Sequence, residues 1–229
     1  MSSFLSPRAS AQEAPCQCSF DTLQFMTELR NTQTVVEFGT ILDLGYRLYE
    51  QGQNIVNCKF CQRSRQSSLI TLPVLAEQCL SLLEAACSTY EISRKDPLFD
   101  LPAISLEQSL SGFICLKSKI TLGQIELEGE EVELLVRMLL NRNLLMLAEL
   151  LESFKGVLCT LLKDNSDAER VATLRACDSS VDSTIHRLAS LIEQLGVESG
   201  RGLRHPWFDC FLLRLIRLQS GLSVTLPAR

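Results

Sequence analysis

The amino-acid sequence predicts an all-α protein, a multi-helix bundle of about six helices with one long leucine-rich helix. First, apolar side chains recur at spacings of three and four residues over long stretches, as they do on amphipathic helices. Second, the hydrophobic fraction is 46% while aromatic residues make up only 6% of the 229 residues, and leucine supplies most of the apolar content. Leucine favours helices, whereas strands are enriched in β-branched and aromatic residues.

The first three helices follow from this periodicity. Two are predicted at 20–31 and 34–57, and the glycines in the second indicate close packing or a bend near Gly45. The polar segment after the second helix predicts a loop. The third helix, at 69–90, should begin near Thr71, because Pro73 is tolerated only in a first turn.

The second half of the chain contains the strongest helix signal. Residues 120–127 alternate in polarity and predict a short extended strip. The long helix runs from about 130 to 162, with acidic residues in its first turn, where the helix dipole favours them. The next helix is predicted at 178–196, because Ser179 and Asp182 have capping-box spacing. A last amphipathic helix follows.

The long helix carries three heptads of an apolar seam, which steps by four and three residues as coiled-coil positions a and d do. A core helix of a monomeric bundle and a homodimer interface both fit this pattern. The apolar surface is wider than a strict seam, which favours burial on several sides. If the chain binds a partner or itself, the predicted contact residues are Leu140, Leu144, Leu147, Leu151, Phe154, Leu158 and Leu161.

The chain is expected to form one domain with two flanking segments. Residues 1–15 are polar and rich in small side chains, which predicts a disordered lead-in without a secretory signal. Residues 16–220 form the single helical domain, with a linker or insert at about 91–118 where prolines break the pattern, and 221–229 form a tail. We found no apolar run long enough to span a bilayer, so we expect no membrane insertion.

Ten cysteines occur in the chain. Without a signal peptide, reduced buried thiols are expected rather than a disulfide scaffold. Cys58 and Cys61 have the spacing of half a zinc site, and Cys16 and Cys18 are the obvious second pair. In a tight antiparallel hairpin of the first two helices, however, Cys58 would overshoot Cys18 by about 18 Å. We therefore expect no metal or other cofactor and interpret the C-x-x-C as a helix end with packed thiols; a zinc site and a local disulfide are the alternatives.

The sequence offers little for catalysis or for nucleic-acid binding. His186 and His205 are the only histidines, and neither belongs to a recognisable catalytic motif. G-x-S-x-G, P-loop, H-E-x-x-H and G-x-G-x-x-G patterns are absent from the sequence. The net charge of −5 lacks the basic excess that is typical of nucleic-acid-binding domains. We predict that the chain is not an enzyme.

The elements, in this order, resemble the C-terminal regulatory domain of the aflatoxin-regulatory-protein family of fungal zinc-cluster transcription factors. The resemblance covers roughly residues 16–195. "CQCSFDTLQFMTEL" is similar to that family's opening C-x-C and first helix, and "FGTILDLGYRLYEQGQNIVNCKFC" to its second helix with a closing cysteine pair. "LITLPVLAEQCLSLLEAACSTYE" is similar to its third helix, and "ITLGQIELEGEEVELLVRMLLNRNLLMLAELLESF" to its extended strip and long leucine helix.

The resemblance implies a nuclear transcription-regulatory domain that controls a fungal secondary-metabolite biosynthetic gene cluster. It would act through helix contacts with a protein partner or with itself. Family members typically carry an N-terminal six-cysteine zinc cluster in a basic context, and this sequence has none, so we do not expect direct DNA binding by this chain. The alternatives are a helical domain that senses an apolar small molecule and, third, a biosynthetic enzyme.

Overall fold

A computed structural model describes residues 16–64, 68–92, 112–122, 124–164 and 167–195. It confirms the all-α multi-helix fold. The described part contains six α-helices: α1 (Cys18–Asn31), α2 (Phe38–Asn57), the short α3 (Lys59–Arg63), α4 (Leu72–Thr89), α5 (Glu130–Asp164) and α6 (Ala168–Gln194). The predicted lead-in, the last predicted helix and the predicted tail lie outside the described residues.

The four long helices α2, α4, α5 and α6 form a bundle. Helix α2 packs against α4 and α5, and α6 packs against the same two helices. The short connection between α5 and α6 makes these neighbours antiparallel. An ion pair joins Lys155 on α5 to Asp182 on α6. Between α6 and α4, Arg187 pairs with Glu77 at 3.3 Å and Glu84 at 2.7 Å.

The apolar seam of α5 lies at the centre of this bundle. The helix has 35 residues, about 50 Å at 1.5 Å per residue. All the predicted contact residues except Leu161 are buried, namely Leu140, Leu144, Leu147, Leu151, Phe154 and Leu158. We therefore correct the prediction of a contact face at these positions. Because α2, α4 and α6 all pack on α5, its seam is covered within the chain.

Helix α4 has the composition of a core helix. With the turn before it, Ser68–Thr89 is long and apolar enough to cross a membrane by length and composition alone. Most of its apolar side chains are buried, among them Leu72, Leu80, Leu82 and Leu83. Burial on several sides accounts for an apolar surface that continues around the helix. The helix begins at Leu72, which agrees with the start predicted near Thr71.

Two small strand pairs supplement the helices. Strand β1 (Val35–Glu37) pairs in parallel with β2 (Ile114–Leu116). The sequence predicted that the second helix begins at residue 34, but strand β1 precedes the helix, which begins at Phe38. The predicted extended strip is confirmed as a hairpin of β3 (Thr121–Leu122) and β4 (Ile125–Glu126).

Helix α6 begins well before its predicted start at residue 178. Its first residue is Ala168, and the carboxylate of Asp167 accepts a hydrogen bond of 3.3 Å from the backbone N–H of Glu169. The capping box predicted at Ser179 and Asp182 is wrong, because both residues lie inside the helix. The first three turns of α6 contain only two large aliphatic side chains, Val171 and Leu174, so their apolar periodicity was too weak to reveal the helix.

Glycines bring α2 and α5 into close contact, as one of the two sequence interpretations proposed. A Cβ atom at Gly45 would overlap the side-chain oxygen of Asn143. A Cβ atom at Gly52 would lie 2.5 Å from Cδ2 of Leu150. Since both contacts advance in the same direction along the two chains, α2 and α5 are parallel.

We expect Gly52→Ala to lower the free energy of unfolding by about 1–3 kcal/mol, because the added methyl overpacks a fully buried contact. Gly39→Ala is the matched control on the same helix, since nothing lies within 4 Å of a Cβ there. That change should stabilise by up to about 1 kcal/mol through helix propensity. Urea unfolding followed by circular dichroism measures both, and equal effects of the two substitutions would contradict the close approach.

Candidate metal centre

The register between α1 and α2 decides which residues meet the C-x-x-C. Arg47 on α2 donates two hydrogen bonds of 2.6 Å to the carboxylate of Glu28 on α1. The Arg47 guanidinium also lies 5.5 Å from the centre of the Phe25 ring. With Glu28 and Arg47 opposite each other in antiparallel helices, Cys18 is level with Asn57, because each is the same number of residues away from its half of the ion pair.

The overshoot expected from a tight hairpin is therefore wrong. That expectation placed the reversal of the chain directly after α1. Instead the backbone is extended at Thr32 and through β1 before α2 begins at Phe38. The later start moves the end of α2 back beside the beginning of α1.

Four thiols converge where these two ends meet. The sulfur atoms of Cys16, Cys18, Cys58 and Cys61 all lie within 4.8 Å of one another. The Sγ atoms of Cys16 and Cys61 are 3.5 Å apart. Sulfurs around a tetrahedral zinc ion, with bonds of about 2.3 Å, would be about 3.8 Å apart. A disulfide bond is only about 2.05 Å long, so these four thiols are free and spaced for a metal ion.

The backbone around Cys58 favours a thiolate. Helix α2 ends at Asn57, Cys58 is extended, and α3 begins at Lys59. The backbone N–H groups of Cys61 and Phe60 donate to the Cys58 sulfur. The first of these hydrogen bonds is the largest cause that lowers the pKa of Cys58. Hydrogen bonds to the charged form of a group favour ionisation.

Burial acts in the opposite direction on two other thiols. It raises the pKa of Cys18 to about 11 and places the pKa of Cys61 well above its usual range. Cys61 is almost fully buried, whereas the other three are partly exposed. Four thiolates this close would repel one another, and a divalent cation removes that repulsion by replacing the protons.

The donor set selects the metal. Four sulfurs without an oxygen ligand suit zinc or an iron–sulfur centre rather than magnesium or calcium. Four cysteine ligands around one zinc ion form a closed structural site, in which no coordination position is left for water or substrate. The group can therefore bind one zinc ion and cross-link the start of α1 to the α2–α3 junction.

Contacts outside the ligand set hold α3 in place. Arg170 on α6 donates hydrogen bonds to the backbone oxygens of Gln62 and Arg63, at the C-terminal end of α3. The Gln62 amide donates a hydrogen bond of 2.6 Å to the backbone oxygen of Val56 on α2. The Ser68 hydroxyl donates to the hydroxyl of Ser19 on α1 at 3.3 Å. The metal centre is thus tied to α1, α2 and α6.

The remaining described cysteines do not form such a group. Cys79, Cys87, Cys115 and Cys177 are buried, as the sequence predicted for most of the thiols, and Cys159 is exposed. Burial raises the pKa of Cys79 and Cys87 to about 12, so these thiols stay protonated at neutral pH.

Three polar residues near the surface, His186, Lys59 and Arg63, have ordinary positions. The ring of His186 is exposed and contacts the backbone oxygen of Asp182 at 2.6 Å. Lys59 and Arg63 are exposed on α3 beside the cysteines. His205 lies outside the described residues.

Comparisons with protein families, with curated proteins and with solved structures give no match.

Proposed function

We propose that this chain is a zinc-binding regulatory domain. A structural zinc ion at Cys16, Cys18, Cys58 and Cys61 fastens α1 to the bundle, and the bundle takes part in transcription control through contacts with other proteins. The convergence of the four thiols is the observation that carries the zinc part of this proposal. A closed four-cysteine site also supports a non-enzymatic role, because it leaves no position at the metal for a substrate.

The regulatory part of the proposal rests on the sequence resemblance to the aflatoxin-regulatory-protein family. The C-x-C and the C-x-x-C that contribute to this resemblance are the pairs that meet at the metal centre. On this basis we propose a nuclear protein that acts on a fungal secondary-metabolite gene cluster.

Protein contacts must use side chains that the fold leaves outside. The α5 seam is buried, so it does not serve this purpose. Phe20 and Leu23 on α1 are each 63% exposed and lie three residues apart, on one face of the helix that the metal centre anchors. They are the first positions at which to test partner contacts.

A tethering experiment tests the regulatory role. We expect the chain, fused to an unrelated DNA-binding domain, to change transcription from a reporter that carries the matching operator. Phe20→Asp with Leu23→Asp should weaken the effect and leave the zinc content unchanged. Cys159→Ser is the matched control and should behave as the parent chain does. A folded, zinc-loaded fusion that leaves reporter transcription unchanged would sink the regulatory proposal.

Zinc content is a separate measurement. We expect about one zinc ion per chain by elemental mass spectrometry of the purified protein, as for a closed structural site. Cys58→Ser with Cys61→Ser should remove it, whereas Cys159→Ser should not. Equal zinc in all three proteins would place the metal elsewhere.

A further inference from the structure

One pair of sulfurs in the candidate metal centre joins two distant parts of the chain. Cys16 Sγ and Cys61 Sγ are 3.5 Å apart. Cys16 precedes α1, and Cys61 lies in α3. A movement of about 1.5 Å would bring these atoms to the length of a disulfide bond.

We propose that the metal centre is a peroxide-sensitive zinc–thiolate site in which Cys16 and Cys61 form the disulfide. This inference rests on the proposed zinc site and adds a modification to it. Cys16, Cys18 and Cys58 are partly exposed and so within reach of a small oxidant, whereas Cys61 is buried. Because the Cys16 sulfur lies 3.5 Å from the Cys61 sulfur, we assign Cys16 as the thiolate that reacts first and Cys61 as the one that resolves it.

The chemistry balances in two steps. The Cys16 thiolate attacks one oxygen of hydrogen peroxide, the O–O bond breaks, and the products are a sulfenic acid at Cys16 and hydroxide. The Cys61 thiolate then attacks the Cys16 sulfur, the S–S bond forms, and a second hydroxide leaves. Two thiolates are oxidised by two electrons and one peroxide is reduced. Cys18 and Cys58 alone hold zinc too weakly for a stable four-ligand site, so the ion is released.

The choice of this pair has a structural consequence. A disulfide between Cys58 and Cys61 would lie within the α2–α3 junction and would leave α1 without its cross-link. A disulfide between Cys16 and Cys61 replaces one cross-link by another, so α1 stays attached to α3 when zinc leaves. Oxidation then changes the charge and metal content of this end of the bundle without loosening the α1–α2 hairpin.

The other described cysteines make the reaction selective. Cys79, Cys87, Cys115 and Cys177 are buried in the fold. Cys159 is exposed on α5, but it is not among the cysteines grouped at the metal centre. Among the described residues, only the metal centre combines partial exposure with a resolving thiol at contact distance.

The experiment uses the full chain loaded with zinc and treated with increasing hydrogen peroxide. A chromogenic chelator follows zinc release, and mass spectrometry of the tryptic digest without reduction maps the disulfide. Trypsin separates Cys58 from Cys61 because Lys59 lies between them, so peptide 60–63 carries Cys61 alone. We expect it linked to peptide 9–30, with fragmentation assigning the bond to Cys16 rather than Cys18.

Zinc release should rise in parallel with this cross-linked peptide, and thiol reduction with added zinc should restore the metal. Circular dichroism should show the helices retained after oxidation. Cys159→Ser is the control and should respond as the parent chain does. Cys16→Ser should lose the cross-link to peptide 60–63; if this variant fails to fold, the map of the parent chain still decides.

Two kinds of failure are distinguishable. A chain that carries no zinc and takes up none refutes the proposed metal site and this inference together. A zinc-loaded chain that keeps its metal under peroxide, or that forms mainly the Cys58–Cys61 disulfide, refutes this inference alone.

Discussion

Cys61→Ser is expected to lower the free energy of unfolding by about 4 kcal/mol, the stabilisation that a ligand gives when present at about 1,000 times its dissociation constant. For a chain of this size the midpoint of thermal unfolding should fall by about 8–16 °C. Cys61 is the buried member of the proposed ligand set, so its loss should abolish zinc binding. Zinc that binds only the folded state stabilises that state, and the variant would lose this stabilisation. Differential scanning calorimetry with zinc present measures the change.

The controls for this prediction distinguish a loss of stability caused by the missing metal from one caused by poor packing of the serine. Chelation of the parent chain should give nearly the same loss, and added zinc should restore the parent but not the variant. Cys159→Ser, at an exposed position, should stay within about 0.5 kcal/mol of the parent. An unfolding midpoint of the parent chain that does not respond to chelation would contradict a structural zinc site.

Phe154→Ala should lower the free energy of unfolding by about 3–5 kcal/mol, the usual cost of removing a buried phenylalanine ring. Phe154 is fully buried in the seam of α5. If Phe154 is part of the core, its substitution should cause a large loss of stability. If it were part of a contact face, the substitution would weaken association and leave the stability of the chain unchanged. Urea unfolding followed by circular dichroism gives the value.

Met138→Ala is the matched control on the same helix. Met138 is 61% exposed, so its removal should change stability by less than about 0.5 kcal/mol. Sedimentation of both variants completes the comparison. If Phe154→Ala instead left stability unchanged and dissociated an oligomer, the assignment of the seam to the chain's own core would be wrong.

The core of this fold was readable from the sequence because its signal is local. The seam from Leu140 to Leu158 repeats on one helix, and the wider apolar surface around this repeat favoured burial over a dimer interface. The beginning of α6 was missed for the same reason: Val171 and Leu174 are the only large aliphatic residues in its first three turns, and α6 is helical there with Asp167 as its cap. Where the apolar periodicity is weak, contacts with other helices determine whether a segment is helical, and those helices are distant in sequence.

Only part of the candidate metal centre could be predicted from the sequence. The spacings of the two cysteine pairs are visible in the sequence, but the distance between the pairs depends on where α2 begins. That point is shifted by β1, whose partner β2 lies far along the chain at Ile114–Leu116. A contact of this kind has no local signature, so nothing in the cysteine spacing argued against the tight hairpin.

The parallel packing of α2 and α5 raises the question of how the two helices choose one alignment. The hollows at Gly45 and Gly52 are one heptad apart, as are Asn143 and Leu150, which face them. Shape alone would therefore tolerate a slide of one heptad. Asn143 makes the two alignments unequal, because the observed one places a polar side chain at Gly45 and an apolar side chain, Leu150, at Gly52. A buried asparagine at one position of a helical interface fixes register in this way and lowers stability. Its side-chain oxygen has no hydrogen-bond partner among the described residues, so this bundle gives up some stability to keep a single alignment.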